Sequence, residues 1–349
     1  MTVPLDVLLA TPDFPPAPGG IQLLAHRLAT HLPDCRVRVV TLPDGRSGRL
    51  HNAALNADVI REGLRRTPDV VLAAHIVASP AALALSRLRG VPYVQYLHAR
   101  EVPNRPRLAR RAVAGAAAVV AVSRYTRDLA LDVGADPGQV RIVPPGVDLP
   151  ADPRRAPDAR PTIVSVARMD DAYKGQDVLL EALPLIAERV PDVHLVLIGD
   201  CRLLARLEER AAGLPVTFTG AVDDAERDAW LGRAHVFAMP SREPEGGAGE
   251  GFGIVFLEAA ARGLPAVGCS VGGALDAVAD GETGLLVDPG DPRAVAAALT
   301  SLLLDRALAE RLGRAGAERA RDYAWPAIAG RVADVLREAA ALRPAVVAR

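Results

Sequence analysis

Short apolar segments alternate along this chain with loops and with longer segments of helical periodicity. The apolar runs predict buried strands, and apolar residues recurring at intervals of three and four predict helices. In residues 1–150 the predicted strands are Leu5–Ala10, Arg36–Thr41, Asp69–Ala74, Pro92–Leu97, Ala117–Val122 and Val140–Val143. The predicted helices are residues 21–31, 51–66, 80–89, 106–115 and 124–133. This alternation predicts a parallel sheet covered on both faces.

A second alternating set follows the segment Val143–Asp158, which is dense in Pro, Asp and Gly and reads as a linker. Its predicted strands are Thr162–Ala167, His194–Ile198, Val216–Thr219, His235–Met239, Pro265–Gly268 and Gly284–Val287. Its predicted helices are residues 176–189, 202–212, 224–233, 251–262, 273–279, 292–304, 306–321 and 323–342. We therefore predict an α/β protein with two doubly wound, Rossmann-like domains, 1–150 and 151–325, that leave a cleft between them. Residues 326–349 are predicted to form a helix that crosses back to the first domain.

Composition narrows the functional classes. The net charge of −1 argues against a general nucleic-acid binder. The charge is uneven, however, because residues 1–150 carry 18 arginines and 12 acidic residues, whereas the rest of the chain carries 23 basic and 30 acidic residues. The three cysteines fit neither a metal site nor a disulfide framework and predict a reducing cytosol. The N-terminal residues do not have the pattern of a signal peptide, and no stretch reaches the roughly 20 apolar residues of a membrane span.

The glycine-rich segment Met239–Gly268 carries the strongest chemical signal. Glu250 lies among its glycines and Glu258 follows eight positions later, in the predicted helix 251–262. An eight-residue step returns close to the same helix face, so both carboxylates can point into one cleft. The unpaired backbone N–H groups at this helix start would form an anion site. These N–H groups belong to Gly251, Phe252, Gly253 and Ile254.

A flexible loop followed by a core helix is the alternative explanation of this segment. That explanation accounts for the glycines but not for Glu258, because the predicted helix is apolar nearly all round and should be buried. A glutamate in a buried helix is rare unless it is paired or functional. The pattern therefore favours a functional role for Glu258.

Three further positions stand out. Lys174 is the single lysine among 41 basic residues and lies between a predicted strand and a Gly-led helix, although one lysine must lie somewhere. His98 follows a predicted strand at its carboxyl end, where open α/β sheets place their sites, although it could equally be a loop histidine without a role. Gly19 and Gly20 precede the first predicted helix and would let a phosphate approach its N-terminus. They do not form a G-x-G-x-x-G fingerprint.

Taken together, these stretches resemble the retaining GT-B glycosyltransferases, which move a sugar from a nucleotide-sugar to an acceptor. The resemblance covers nearly the whole chain and rests on residues 14–20, His98, Arg168 with Lys174-Gly175, and Glu250-Gly-Phe-Gly with Glu258. Within that family, these sequence motifs are most similar to those of actinobacterial phosphatidylinositol mannosyltransferases, which use GDP-mannose. The resemblance implies a GT-B fold, with two Rossmann-like domains facing a central cleft.

The resemblance also implies roles for the donor-side residues. Arg168 and Lys174 would bind the donor diphosphate and balance the charge on the leaving nucleotide. Glu250 and the backbone of residues 251–254 would hold the sugar, and Glu258 would bind the ribose hydroxyls. Gly220 and Val222 would lie beside the base.

On the other domain, the resemblance implies that Gly19 and Gly20 close on the phosphates and that His98 reaches the sugar. The family often has His-Gly-x-Glu where this chain has His98-Ala-Arg-Glu101, which puts the local turn in question and leaves Arg100 to meet a negative acceptor. The arginines at 100, 105, 107, 110 and 111 predict an anionic partner, a lipid acceptor or a membrane surface, although a solvated helix face would explain them too. The expected location is the cytoplasm, peripheral to the inner face of the plasma membrane.

The residues agree with metal-independent transfer and leave two alternatives. A lysine and an arginine can stabilise a leaving diphosphate by preorganised electrostatics, and the chain has no D-x-D to bridge a metal to it, so we expect no cofactor. A hydrolysing nucleotide-sugar epimerase would share the architecture but would need further acid/base carboxylates beside His98. A non-catalytic nucleotide-sensing module would give Lys174 and Glu250 no purpose.

Overall fold

The computed structural model describes residues 3–16, 19–42, 48–152, 155–167, 172–200, 202–244 and 247–343. The chain divides into two compact units. Unit 1 comprises Met1–Gly146 together with Trp325–Arg349, and unit 2 comprises Val147–Ala324.

Unit 1 is built on a six-stranded, wholly parallel sheet with the strand order β2-β1-β3-β4-β5-β6. The order changes direction between β1 and β3, and ligand sites of doubly wound folds lie at such switch points, outside the carboxyl ends of the strands. The strands are β1 (Leu5–Ala10), β2 (Cys35–Val40), β3 (Val70–Ala73), β4 (Tyr93–Leu97), β5 (Ala118–Ala121) and β6 (Val140–Ile142).

The helices of unit 1 pack their apolar faces on this sheet, which is why strands β3, β4 and β5 are buried along their whole length. The last helix, α14 (Trp325–Ala341), packs against α1 and strands β3 to β5 and so completes unit 1 from the far end of the chain. The others are α1 (Gly20–His31), α2 (Arg49–Arg65), α3 (Ser79–Arg89), α4 (Glu101–Asn104), α5 (Pro106–Ala114) and α6 (Arg124–Asp132).

Unit 2 repeats the architecture with a second parallel sheet of order β12-β11-β10-β7-β8-β9. Counted from its own first strand this is the order 6-5-4-1-2-3 of the Rossmann fold, and the switch point lies between β7 and β10. Its strands are β7 (Thr162–Val166), β8 (His194–Ile198), β9 (Val216–Gly220), β10 (Val236–Met239), β11 (Ala266–Cys269) and β12 (Gly284–Val287).

The core of unit 2 is aliphatic, as expected of a chain with 3% aromatic residues. Two helices, α7 and α12, pack on each other and on the sheet with Leu, Ile, Val and Ala side chains. The helices are α7 (Gln176–Ala187), α8 (Leu204–Arg210), α9 (Asp224–Arg233), α10 (Ile254–Ala261), α11 (Ala274–Ala277), α12 (Pro292–Leu304) and α13 (Arg306–Ala320).

The prediction of two doubly wound parallel sheets is confirmed, and each of the twelve strands lies within one residue of its predicted ends. Two local predictions were wrong. The short helix α4 was not foreseen, because its apolar pattern is too brief to show a period. Helix α10 begins at Ile254 rather than at residue 251, because Gly253 has a φ of 89°, which a right-handed helix does not contain.

Among the described residues, no helix is both long enough and apolar enough to cross a membrane.

Candidate active site

Lys174 is placed by a sharp turn at the carboxyl end of β7. It ends a single 3₁₀ turn, Ala172–Lys174, and Gly175 follows with a left-handed φ of 81°. A Cβ atom on Gly175 would lie 2.1 Å from the carbonyl oxygen of Pro240, which follows β10. Only glycine therefore allows the Lys174 turn to approach the end of β10 so closely. The lysine is brought to the switch point of the unit 2 sheet.

Glu250 reaches the same point from the glycine-rich loop after β10, and its carboxylate accepts a hydrogen bond from Nζ of Lys174. The two side chains are only 16% and 12% exposed. Burial acts to lower the pKa of Lys174, but the Glu250 carboxylate and Tyr173 together outweigh it, so this pKa lies above its usual value. Burial acts to raise the pKa of Glu250, but the lysine charge and backbone N–H groups bring it below its usual value. The pair is therefore ionised at neutral pH.

The backbone N–H groups that face Glu250 correct a sequence-based expectation. We expected the N–H groups of residues 251–254 to be unpaired donors at the start of a helix. Instead those of Gly251 and Phe252 donate to the carboxylate of Glu250, and the helix starts only at Ile254. The loop thus folds its own carboxylate onto its amides, as an N-terminal anion site would hold a ligand.

Two glycines that sequence analysis missed support this loop from behind. The N–H of Gly273 donates to the carbonyl oxygen of Glu250 at 2.8 Å. A Cβ atom on Gly273 would lie 2.1 Å from the carbonyl oxygen of Gly251, and one on Gly272 would lie 2.8 Å from that of Glu250. The signal was present, because Gly272-Gly273 follows β11 at the carboxyl edge of the sheet, where glycines permit close backbone approach.

Arg242 ties the Lys174 turn to the loop after β10. Its backbone N–H donates to the carbonyl oxygen of Tyr173 at 2.8 Å, and its guanidinium donates to Oδ2 of Asp177 at 2.7 Å. Nζ of Lys174 lies 5.0 Å from the centre of the Tyr173 ring, a cation–π distance. Glu250 and the Tyr173 ring thus hold the ammonium group, while Arg242 holds the turn that carries it.

Glu258 lies one turn into α10 and faces a different cation. Its Oε2 is 3.6 Å from Nε of Arg227 on α9, too long for a hydrogen bond, and that Nε is buried without a hydrogen-bond partner. The same guanidinium donates to Asp224 at 2.7 Å. Burial raises the pKa of Glu258, and Arg227 only partly opposes that shift. Glu250 and Glu258 therefore do not share one partner, and Arg227 was not foreseen.

In unit 1, His98 lies directly after β4 and its ring is anchored. Its Nε2 is 2.9 Å from the carbonyl oxygen of Ala74, and its ring stacks on Tyr96 with centroids 5.5 Å apart. A carbonyl only accepts, so Nε2 carries the proton of the neutral ring. Burial lowers the pKa of His98 to about 4, so the ring is neutral at physiological pH. It can act as a hydrogen-bonding group there but not as a cation.

The remaining predicted positions lie where strand ends should place them. Gly19 caps the N-terminus of α1 with a φ of 143°, and Gly20 is the first residue of that helix. Gly220 ends β9 with a φ of 70°, and Val222 follows it in the loop before α9. Arg168 lies outside the described residues. Within the described ranges, no cluster of three or more His, Cys, Asp or Glu side chains is arranged to hold a metal ion.

Comparison with known proteins identifies the family. Residues 5–150 match the family model described as Glycosyltransferase Family 4, and residues 160–305 match that described as Glycosyl transferases group 1. A GDP-mannose-dependent alpha-(1-6)-phosphatidylinositol monomannoside mannosyltransferase of Mycobacterium tuberculosis is 34% identical, over 95% of this chain and 98% of the relative. The chain is a group 1 glycosyltransferase. This membership favours sugar transfer over the epimerase and nucleotide-sensing alternatives.

A further relative and a solved structure are also similar to this glycosyltransferase. A D-inositol 3-phosphate glycosyltransferase of Paenarthrobacter aurescens is 32% identical, over 83% of this chain and 78% of the relative. The structure of HepE from Anabaena, solved in complex with UDP-glucose, superimposes with a TM-score of 0.77 at 20% identity, covering 95% of this chain and 99% of HepE. That likeness confirms the predicted GT-B fold.

The contact behind Glu250 gives a stability prediction. Gly273→Ala keeps an allowed backbone, since Gly273 has a φ of −73°, but its methyl group would overlap the carbonyl oxygen of Gly251. We expect unit 2 to lose about 1–3 kcal/mol, the usual cost of overpacking. Differential scanning calorimetry measures the change. The matched control is Gly232→Ala, where open space in α9 predicts an unchanged or higher melting temperature. Equal melting temperatures for Gly273→Ala and the parent would contradict the close contact.

The buried groups of unit 1 give a pH prediction. Burial lowers the pKa of His75 to about 3 and raises that of Glu101 to about 8. His75 and His98 both have lowered pKa values, so the folded protein binds fewer protons than the unfolded chain below about pH 6.5. The free energy of unfolding therefore rises with pH up to about 6.5, where the unfolded chain also loses those protons. Between about pH 6.5 and 8 the native protein keeps a Glu101 proton that the unfolded chain has lost, so stability falls by up to about 1.4 kcal/mol per pH unit.

Urea unfolding at several pH values tests this slope. In a Trp230→Phe background, fluorescence of the buried Trp325 reports on unit 1. We expect the free energy of unfolding to decrease from pH 6.5 to 8, and Glu101→Gln to remove that decrease. A slope that Glu101→Gln leaves unchanged would assign the titration to another group.

Proposed function

We propose that this glycosyltransferase moves mannose from GDP-mannose to an inositol-containing anionic lipid, with retention at the anomeric carbon. The buried Lys174–Glu250 pair at the unit 2 switch point is the observation that carries the transfer chemistry. The Mycobacterium tuberculosis relative, by its name, supports mannose, GDP and the lipid acceptor. The inositol phosphate relative uses an acceptor with a similar anionic head, which supports the same acceptor chemistry.

Lys174 and Glu250 bind different parts of the donor, the diphosphate and the sugar respectively. In the transfer, the bond between the anomeric carbon and the β-phosphate oxygen breaks, and a bond from an acceptor hydroxyl forms on the same face. Lys174 and Arg168 stabilise the negative charge that builds on the leaving diphosphate, without a metal ion. The diphosphate takes up the acceptor proton. Glu250 accepts hydrogen bonds from mannose hydroxyls, and the amides of residues 251–254 lie beside it.

The other predicted donor-binding residues receive the following roles in this proposal. Glu258 binds the ribose hydroxyls, exchanging its long contact with Arg227 for direct hydrogen bonds. Gly220 and Val222 lie beside the base. From unit 1, Gly19 and Gly20 approach the phosphates, and the bare Nδ1 of His98 accepts a hydrogen bond from the sugar.

The acceptor side of the proposal rests on an exposed basic surface of unit 1, which we call the arginine face. In α5 the arginines are exposed, while Ala109, Ala112 and Val113 are buried. No salt bridge within the described residues involves these arginines. The end of α3, which contacts α5, adds Leu88, 65% exposed between two exposed arginines. The arginine face consists of Arg87, Arg89, Arg105, Arg107, Arg110 and Arg111, with Leu88.

An anionic membrane fits the arginine face. Each arginine near an anionic lipid surface contributes about 1 kcal/mol of attraction, and an exposed leucine can enter the interface between head groups and acyl chains. The enzyme is therefore peripheral to the inner face of the plasma membrane, with its acceptor lipid in the same leaflet.

Removing the Lys174 charge tests the proposed function. Lys174→Gln should lower the turnover of GDP-mannose by a factor of roughly 10²–10³, the scale for losing one preorganised stabilising group. Release of GDP in the presence of vesicles containing phosphatidylinositol mannosides measures it. Because Lys174→Gln leaves the Glu250 carboxylate buried without its partner, it should also destabilise unit 2.

The double variant Lys174→Gln with Glu250→Gln separates these effects. It removes both charges together, so the melting temperature should recover while turnover stays low. Parent-like turnover in a folded Lys174→Gln protein would contradict the proposed role of the lysine. Turnover that recovers with the melting temperature would mean that the pair only stabilises the fold.

Vesicle binding tests the arginine face. The parent protein should sediment with vesicles containing anionic phospholipid and not with neutral ones, and binding should weaken as salt screens charges over about 10 Å at 0.1 M. Arg107→Glu with Arg110→Glu should abolish sedimentation. The control Arg206→Glu with Arg314→Glu changes the net charge equally at exposed positions of unit 2 and should bind as the parent does. A parent protein that ignores anionic vesicles at low salt would favour a water-soluble inositol phosphate as acceptor.

A further inference from the structure

Glu101 connects two loops at the carboxyl edge of the unit 1 sheet. It is the first residue of α4, and its side chain is 4% exposed. Its Oε1 accepts a hydrogen bond from the backbone N–H of His98 at 2.9 Å, directly after β4. Its Oε2 accepts one from the N–H of Ile76 at 3.1 Å, in the loop after β3. One carboxyl group thus holds both loops together.

A second histidine shares this carboxyl group. Nδ1 of His75 lies 3.1 Å from Oε2 of Glu101, and its ring centre is 6.4 Å from that of His98. Asp13, from the loop after β1, and Arg105, after α4, also act electrostatically on Glu101. These groups come from the loops after β1, β3 and β4 and from the residue after α4, and the proposed function gives no role to Glu101, His75 or Asp13.

The same loops determine where the His98 ring points. Its Nε2 donates to the carbonyl oxygen of Ala74, which precedes the segment that Glu101 holds. The backbone of His98 is held by Glu101 itself. Both hydrogen bonds that anchor His98, one to its ring and one to its backbone, thus depend on the two loops keeping their positions relative to each other. With Nε2 engaged, Nδ1 is the ring atom that remains to bind a ligand.

We propose that Glu101 is a positioning residue, which fixes the two loops and thereby directs Nδ1 of His98 toward the donor sugar. This inference rests on the proposed function, in which His98 contacts that sugar. Glutamine cannot replace the carboxyl group fully, because its amide NH₂ would face one of the two backbone N–H donors. Glu101→Gln should therefore lose one of the two hydrogen bonds while preserving the shape of the side chain.

A double-mutant cycle separates positioning from general destabilisation. Turnover of GDP-mannose is measured for the parent, Glu101→Gln, His98→Ala and the double variant. In the parent background Glu101→Gln should lower turnover about 10- to 100-fold, the scale of a small misplacement of a binding group. In the His98→Ala background it should lower turnover less than 2-fold, since there is no ring left to misplace. Equal losses in both backgrounds would overturn the proposal.

Two controls keep the test decisive. Tyr93→Phe removes another buried hydrogen bond of unit 1, from the Tyr93 hydroxyl to the carbonyl oxygen of Ala112, and should leave turnover unchanged. If Glu101→Gln does not fold, Glu101→Asp keeps a carboxyl group but is one methylene too short to reach both loops, and should show the same cycle.

Nitrogen NMR of the imidazole rings provides a measurement that does not depend on activity. The parent should show His98 as a single neutral tautomer with the proton on Nε2, and Glu101→Gln should shift or broaden those signals. Unchanged His98 signals in Glu101→Gln would overturn the proposal by themselves. Parent-like turnover of His98→Ala would instead overturn the role that the proposed function gives to His98, and the ring signals would still decide whether Glu101 positions it.

Discussion

The buried ion pair between Lys174 and Glu250 is the interaction on which the rest of unit 2 depends. Two charges at this depth are costly to take out of water, and removing one partner of such a pair typically costs about 3–5 kcal/mol. The pair is tolerable because the carboxylate also accepts backbone N–H groups and the lysine lies against Tyr173. A bound diphosphate would contact the same lysine. The unliganded protein therefore already holds the Lys174 ammonium group in the position where it would bind the phosphate.

Two glycines allow the backbone segments around this pair to approach one another closely. Gly175 lets the lysine turn touch Pro240, and Gly273 lets the segment after β11 touch the Glu250 loop. The first contact spans the switch point between β7 and β10, and the second joins segments that follow the neighbouring strands β10 and β11. The strand order therefore brings the charges together, and the glycines permit the close approach.

Much of this fold follows from the sequence, because strands that are buried along their whole length, such as β3, β4 and β10, leave clear apolar runs. Lys174 and Glu250 also stood out, one as the single lysine and the other among glycines. Their contact could not be predicted, because it joins residues 76 positions apart in the sequence. Both residues lie in loops, which have no hydrophobic periodicity. Arg227 and Glu101 were missed as partners for the same reason. The start of α10 was wrong because only the backbone angle of Gly253 decides it.

A crystal structure of the protein with GDP-mannose tests the central claim most directly. The account predicts the diphosphate within hydrogen-bond distance of Nζ of Lys174 and the mannose hydroxyls on the carboxylate of Glu250. The distance between Nζ of Lys174 and the carboxylate of Glu250 should lengthen, because the ammonium group would also donate a hydrogen bond to the phosphate. A nucleotide bound elsewhere, with the Lys174–Glu250 contact unchanged and no phosphate beside it, would contradict the account.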